Sequence, residues 1–508
     1  MKHSTNAWPR SRTTFADTRC TALAWTVSLS ISACVTDVDS ETQVAGQLEN
    51  LSIAADRPRD PKDPSSDLFE QRVVVEDLAA PYDLAYGPDG ALWVTERIGK
   101  RLLRVDPQTG EPTTVLTIAE AHQSAGQDGV LGFAFHPELL QGKGNDFVYI
   151  AYTYDADASE VLQRRLKIVR YTYDPDRHAL GEPREIISGL SGSNDHNSGR
   201  LLFGPDNKLY YTIGDQGKNQ FDNKCQPILA QSLPTAAEVR RGDFSKYQGK
   251  VLRINLDGSI PGDNPVIRGV RSHIYSYGHR NPQGLAFGAD GSLYSSEHGP
   301  KSDDEVNLIL PGRNYGWPRV AGFRDDRAYV YGNWSAAPDC EALEFSDYEF
   351  PASVPQSRET DWNSWRFKEP LLTFYTVESD YEFIDPACEG SEYICWPTIA
   401  PSSITVYESG ADGVPGWGPS LLVPSLKEGS VFRVELSEDK QSVKGRGLQL
   451  FNTTNRYRDV VVAPDQRSFF VITDHDGDTS GPTQGTTDNL SNRGAILEYR
   501  YNADVGTD

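Results

Sequence analysis

One pattern recurs along the chain: an apolar run, a turn of Gly, Pro and Asp, then a second apolar run ending in small polar residues. It runs from Leu84 through Gly87-Pro88-Asp89-Gly90 to Val94, and from Leu201 through Gly204-Pro205-Asp206-Asn207 to Tyr211. It returns from Leu285 through Gly288-Ala289-Asp290-Gly291 to Tyr294, and from Val460 through Ala463-Pro464-Asp465-Gln466 to Ile472. Weaker copies stand at 132–137 and 416–423. Alternating β-branched and aromatic residues around such turns are hairpin signals. Hairpins repeated at long spacing predict a propeller, whose stacked blades bury faces that no single hairpin could cover. About six copies predict an all-β, six-bladed β-propeller of four-stranded antiparallel blades over residues 68–503. Helical periodicity is confined to short stretches such as 236–241.

The N-terminal segment is of a different kind. Lys2, Arg10, Arg12 and Arg19 precede a mostly apolar stretch, 21–33, too short to span a membrane comfortably. Residues 1–34 therefore read as a signal peptide. Its end, Ile31-Ser32-Ala33-Cys34, resembles a bacterial lipobox with Cys34 as a lipid anchor; plain cleavage at small residues is the alternative. Residues 35–67 are polar and acidic and read as a flexible tether. A periplasmic or extracellular location follows, membrane-anchored if Cys34 is lipidated. Cys225, Cys340, Cys388 and Cys395 remain, an even number in an oxidising compartment. Cys388 and Cys395 are close enough for a local bridge, which leaves Cys225 with Cys340. No sulfur-based zinc spacing occurs. The 508 residues carry a net charge of −23, which argues against nucleic acid or an anionic membrane surface as a partner.

No dinucleotide, Walker, HExxH or GxSxG signature is present. The chemistry gathers in loops beside the repeats. Asp195-His196-Asn197-Ser198-Gly199-Arg200 precedes one strand and Gly214-Asp215-Gln216-Gly217 follows the next. A histidine beside two carboxylates has the ingredients of a general base, or simply satisfies a loop. Gly278-His279-Arg280-Asn281-Pro282 puts a cation and an amide ahead of another repeat. Lys427, Arg456 and Arg458 are further cations, the last two on one face of an extended strand. Cations turned into a channel suit a ligand bearing several carboxylates. Glu297-His298-Gly299-Pro300-Lys301-Ser302-Asp303-Asp304-Glu305 is rich in oxygen donors, as a site for a hard cation or a charged surface turn would be.

In order along the chain, these strings resemble the soluble quinoprotein glucose dehydrogenases of the glucose/sorbosone dehydrogenase group. Asn314-Tyr315-Gly316-Trp317-Pro318, Tyr393-Ile394-Cys395-Trp396-Pro397-Thr398 and Asn455-Arg456-Tyr457-Arg458-Asp459 extend the match. The resemblance implies a six-bladed propeller that oxidises an aldose, D-glucose foremost, at C1 to the lactone, with pyrroloquinoline quinone (PQQ) and Ca2+. It implies His196 as general base, Asp215 as the carboxylate orienting it, and Arg280 as stabiliser of charge on the quinone oxygen. Gln127 and Asp195 would bind sugar hydroxyls, with Gln220 and Phe221 near the substrate. Asn281, Tyr393, Thr398, Lys427, Arg456 and Arg458 would hold the cofactor. The carbonyls of Gly299 and Pro300 would hold the calcium shared with it. Glu305, Tyr315, Ala321, Phe323, Asp325 and Glu359 fall at further calcium positions, and Cys388 and Cys395 at the family's disulfide. Trp396 falls where a partner subunit's tryptophan approaches the sugar, implying a homodimer. Phe221, the 387–392 stretch and His298 depart from the glucose enzyme, so "an aldose" is the firmer substrate. A calcium-dependent propeller lactonase and a non-catalytic binding propeller are the competing classes; the cations argue against the first, His196 with Arg280 against the second. The electron acceptor is not implied.

Overall fold

The structure, a computed structural model, describes residues 58–157, 159, 161–482 and 485–502. The signal segment, Cys34 and the tether up to residue 57 lie outside these. Among the described residues no helix is long and apolar enough to cross a membrane.

Six four-stranded antiparallel sheets form the propeller. Blade one is Pro81–Tyr86, Leu92–Glu96, Arg101–Val105 and Pro112–Thr117; blade two is Val130–Phe135, Phe147–Asp155, Arg164–Asp174 and Ala179–Ser191. Blade three is Leu201–Phe203, Leu209–Ile213, Lys250–Ile254 and Ile274–Tyr277; blade four is Pro282–Phe287, Leu293–Glu297, Asp304–Leu308 and Leu372–Phe374. Blade five is Thr405–Tyr407, Ser420–Pro424, Val431–Glu435 and Leu448–Leu450. Blade six takes Tyr457–Val462, Ser468–Thr473 and Ile496–Tyr501, and borrows its outer strand, Phe69–Val75, from the other end of the chain. The first strands of successive blades touch in a closed ring.

The six repeats seen in the sequence are the connections between first and second strands. Their cause is local. The fourth turn residue is left-handed at Gly90 (φ 75°), Asn207 (55°), Gly291 (85°) and Gln466 (58°), a conformation Gly and Asn adopt most easily. The preceding Asp accepts from the second strand: Asp89 from Ala91 N and Trp93 Nε1, Asp465 from Arg467 N and Ser468 N. The apolar runs then fill the layers between blades. Trp93 of blade one, fully buried, meets Tyr173 of blade two edge-on at 5.0 Å, and each such side chain contributes about 1.5–3 kcal/mol of burial. The α-helix Ala236–Arg241 has a Thr235–Glu238 capping box and ends at Gly242.

Two features pin the ring. Arg200, entering blade three, is paired with Asp83 of blade one and, at 2.7 Å, with Asp459 of blade six. It also donates to the carbonyls of Gln283 in blade four (3.3 Å) and Ser402 ahead of blade five (3.4 Å). Asp83 in turn accepts from Phe133 N of blade two at 2.8 Å. The second feature is the N-terminal segment, packed from residue 58 where a free tether to residue 67 was expected. Asp63 pairs with buried Arg433 at 2.7 Å, and Ser66 Oγ accepts from Phe451 N at 3.1 Å, fixing this stretch to blade five. Two disulfides are formed, Cys388–Cys395 and Cys225–Cys340.

Candidate active site

In an antiparallel blade the start of the first strand and the end of the second lie at the same end of the sheet. The loops there carry the sequence-predicted residues: 195–200 and 215–217 on blade three, 280–281 and 297–300 on blade four, 427 on blade five, 456–458 on blade six. Blades three to six thus deliver side chains to one end of the channel, joined there by Arg97 after the second strand of blade one and Gln127 ahead of blade two.

His196 is held in the left-handed region, φ 42°, and a Cβ on Gly214 would collide with its carbonyl oxygen. Its Nδ1 lies 2.7 Å from Asp215 Oδ1. Asp215 is itself fixed: Oδ2 accepts from Trp317 Nε1 (2.8 Å), Oδ1 from Gly217 N (3.0 Å), and its own N donates to the Arg280 carbonyl (2.7 Å). The carboxylate thus holds Nδ1 as the protonated nitrogen and leaves Nε2 facing the cavity as a base. The nearest carboxylate oxygen to Nε2, Asp195 Oδ1, is 3.7 Å away, beyond hydrogen-bond reach. Asp195 is engaged instead by Gln127 Nε2 at 2.6 Å and Gln220 Nε2 at 3.1 Å. Arg280 lies over the Trp317 ring at 5.4 Å, with its Nε buried and unpartnered.

Asp195, His196, Gln220 and Arg280 line a cavity of about 320 Å³ together with Phe221, His298, Gly299, Pro300, Trp396 and Thr398. Trp396 is among the lining residues, its indole donating to Tyr348 Oη at 2.7 Å. A second lobe of about 540 Å³ shares His298, Tyr393, Ala400 and Lys427 with the first. Its charged wall is Arg97, Lys427, Arg456 and Arg458 against Asp474 and Asp476. Arg458 forks onto Asp474 through two 2.8 Å bonds, and Arg456 approaches it at 3.4 Å. Burial, then the neighbouring Arg458 charge, holds the Arg97 guanidinium below its usual range. Burial also pushes the His298 imidazole well below the ordinary histidine range, and its Nε2 has no partner among the described residues. Asn281 Nδ2 is a third unpartnered buried donor, while its Oδ1 accepts from Ser198 Oγ at 3.0 Å. Tyr393 is half exposed, 3.5 Å from Asp478. Lys427 Nζ lies 2.8 Å from the Trp396 carbonyl and also reaches Thr398.

Asp304 braces Gly299 N (2.8 Å) against Ile399 N and Ala400 N (2.6 and 2.8 Å). Of the further positions, Glu305, Ala321, Asp325 and Glu359 converge on the 321–326 loop. Glu359 accepts from Ala321 N, Asp325 N and Asp326 N, and Glu305 from Gly322 N. Burial raises Glu359 to about 8 and Asp303 to about 7, with neighbouring carboxylates adding to the shift: Asp303 for the first, Asp325 and Asp304 for the second. Yet among the described residues no three acidic, His or Cys side chains form a metal cage. The Tyr315 hydroxyl is turned away, bonded to Leu308 O (2.6 Å) and Leu310 N (2.9 Å). A cation here would rely on backbone carbonyls.

Trp317, Asp474, Asp304 and Arg97 were not singled out from the sequence. Position could have found two of them: Asp474 and Arg97 directly follow a blade's second strand, as Asp215 does one residue later.

Comparison with known proteins agrees with this architecture. A family profile described as Glucose / Sorbosone dehydrogenase matches residues 78–364 and 379–480. The chain is 45% identical over 467 residues to quinoprotein glucose dehydrogenase B of Acinetobacter calcoaceticus, covering 90% of this chain and 97% of that one. It is 26% identical over 411 residues to the aldose sugar dehydrogenase YliI of Escherichia coli, 79% of this chain and 89% of the relative. The PQQ-bound aldose sugar dehydrogenase of Streptomyces coelicolor superposes with a TM-score of 0.56 at 25% identity, over 87% of this chain and all (100%) of that one. The chain belongs to the glucose/sorbosone dehydrogenase family and is an oxidoreductase of that family.

Proposed function

We propose that this protein oxidises aldoses, D-glucose foremost, at C1 to the aldonolactone, with PQQ and calcium as its cofactors. The observation that carries the proposal is His196: Nδ1 is fixed on Asp215 at 2.7 Å while Nε2 opens to the cavity beside Arg280. His196 Nε2 takes the proton of the anomeric hydroxyl as the C1–H bond breaks with its electron pair and C1=O forms. Asp215 keeps the imidazole in the right tautomer and steadies the cation that forms. Gln127, Asp195 and Gln220, already bonded to one another, orient the sugar hydroxyls. When bound, PQQ supplies the hydride acceptor, at its C5.

The donor set suits that cofactor. Four basic side chains against two acidic ones in the second lobe favour a ligand of several carboxylates, which Lys427, Arg456 and Arg458 would hold. The buried, unpartnered Arg280 Nε, Asn281 Nδ2 and His298 Nε2 are donors or acceptors awaiting a polar ligand. Arg280 would stabilise negative charge on an oxygen at the reacting centre. The carbonyls of Gly299 and Pro300 would hold calcium, which supplies Lewis-acid polarisation. The relatives named above, a quinoprotein glucose dehydrogenase and a PQQ-bound aldose sugar dehydrogenase, support the same reading.

The test is reconstitution of the purified protein with PQQ and calcium, following reduction of an artificial electron acceptor across a panel of aldoses. Sugar-dependent reduction that needs both additions is expected; none with any aldose would sink the proposal.

A further inference from the structure

The disulfide Cys225–Cys340 lies outside the machinery described so far. It ties the loop after the second strand of blade three to the long connection between the third and fourth strands of blade four. Phe221 stands just before one cysteine and Phe345 just after the other. Their rings meet at 5.1 Å, tilted by 55°. Phe345 leans in turn on Trp334, at 5.2 Å, whose side chain is sealed in the apolar cluster around Cys340.

Phe221 breaks two ordinary rules. It adopts φ 44°, an unfavourable conformation for a bulky residue. It is also 59% exposed, although it is large and apolar. Both oddities bring its ring to one place. It forms part of the wall of the catalytic cavity, and also lines an outer groove of about 490 Å³ with Leu343, Phe345 and Tyr348. Asp222 and Lys224 supply polar groups on the same groove. A rigidly backed aromatic face beside hydrogen-bonding side chains suits a sugar ring, which has apolar C–H faces and a polar rim. The groove adjoins the cavity in which the reacting C1 would sit, sharing Phe221 and Asp347 with it.

We propose that the Phe221–Phe345 pair, clamped by Cys225–Cys340, is a specificity-determining platform. It recognises what the aldose carries at the end remote from C1, and raises the efficiency with a glycosidically extended aldose relative to that with the corresponding monosaccharide. The inference rests on the aldose-dehydrogenase reading above.

The test compares kcat/KM for cellobiose and for glucose in the reconstituted enzyme, wild type against Phe345→Ala, Phe345→Leu and the double variant Cys225→Ser/Cys340→Ser. Phe345→Leu keeps the apolar bulk and secures the comparison should the alanine variant not fold. The cellobiose-to-glucose ratio is expected to fall about fivefold in all three, with the glucose constants of the Phe345 variants nearly unchanged. An unchanged ratio, a rise, or an equal loss for both sugars overturns the platform. Quenching of tryptophan fluorescence by cellobiose gives a readout without turnover, saturable in the wild type and lost in Phe345→Leu. If the wild type oxidises no aldose, the reaction assigned above fails, while this titration still decides whether the groove binds the sugar.

Discussion

His196 and His279 both place Nδ1 against a buried carboxylate, at 2.7 Å from Asp215 and 2.8 Å from Glu297. Each carboxylate ends or follows the second strand of its blade, and each histidine lies in the loop leading into a first strand. The difference is at Nε2. That of His279 is engaged by Ser276 Oγ at 2.9 Å, and its ring is covered by Tyr315 stacked at 4.6 Å. That of His196 faces the cavity. Burial drives His279 down to about 3 and Glu297 up to about 8, so both favour their neutral forms and act as a brace. Glu297 also accepts from Arg280 N, so the sealed pair holds the residue that the open pair works beside. A histidine–carboxylate pair does not by itself make a base. Access to the second nitrogen does.

The comparison can be broken in four places. His196→Ala is expected to lower kcat about 10³-fold, with the unfolding midpoint hardly moved and PQQ still bound. Asp215→Asn is expected to cost about 10²- to 10⁴-fold by losing control of the tautomer. Both are read by steady-state kinetics on the reconstituted enzyme. His279→Ala should do the reverse: leaving Glu297 short of a partner costs about 1–3 kcal/mol of stability, measured by urea unfolding, while the pH profile of kcat/KM keeps its shape. A shifted profile would place His279 in the chemistry. Ser276→Ala should be mildest, about 1 kcal/mol, with kcat unaltered; a new activity or a lost one would show that sealing Nε2 is not what separates the two histidines.

Much of this was legible in the chain because its causes are local. Four of the repeated turns announce blades through their left-handed fourth residue and the Asp before it, and the two weaker copies fall on the corresponding connections of the other two blades. His196, Asp215, Arg280 and Lys427 stand out as loop residues beside the repeats, and the roles expected of them come with the family resemblance. What escaped was set by distance. Phe69–Val75 pairs with Ile496–Tyr501 across nearly the whole chain, so nothing near it signals closure. The packing of residues 58–67 depends on Arg433 and Phe451, and their composition alone suggests a tether. Asp474 was missed because the sequence displays Arg456 and Arg458 as free cations, whereas the fold gives them a shared carboxylate. Trp317 lies 102 residues from Asp215 along the chain, so nothing local announces the bond between its indole and that carboxylate.

Arg200 has a consequence for how the molecule comes apart. Its guanidinium and the Asp83 and Asp459 carboxylates sit at the centre of the ring, with direct or one-step links to every blade. Peeling any one blade away would leave buried charge stripped of its partner, which is far costlier than losing the blade's own hydrogen bonds. Amide protection of the six inner strands therefore belongs to the ring as a whole: they exchange through one shared opening, while the outer strands can fray blade by blade.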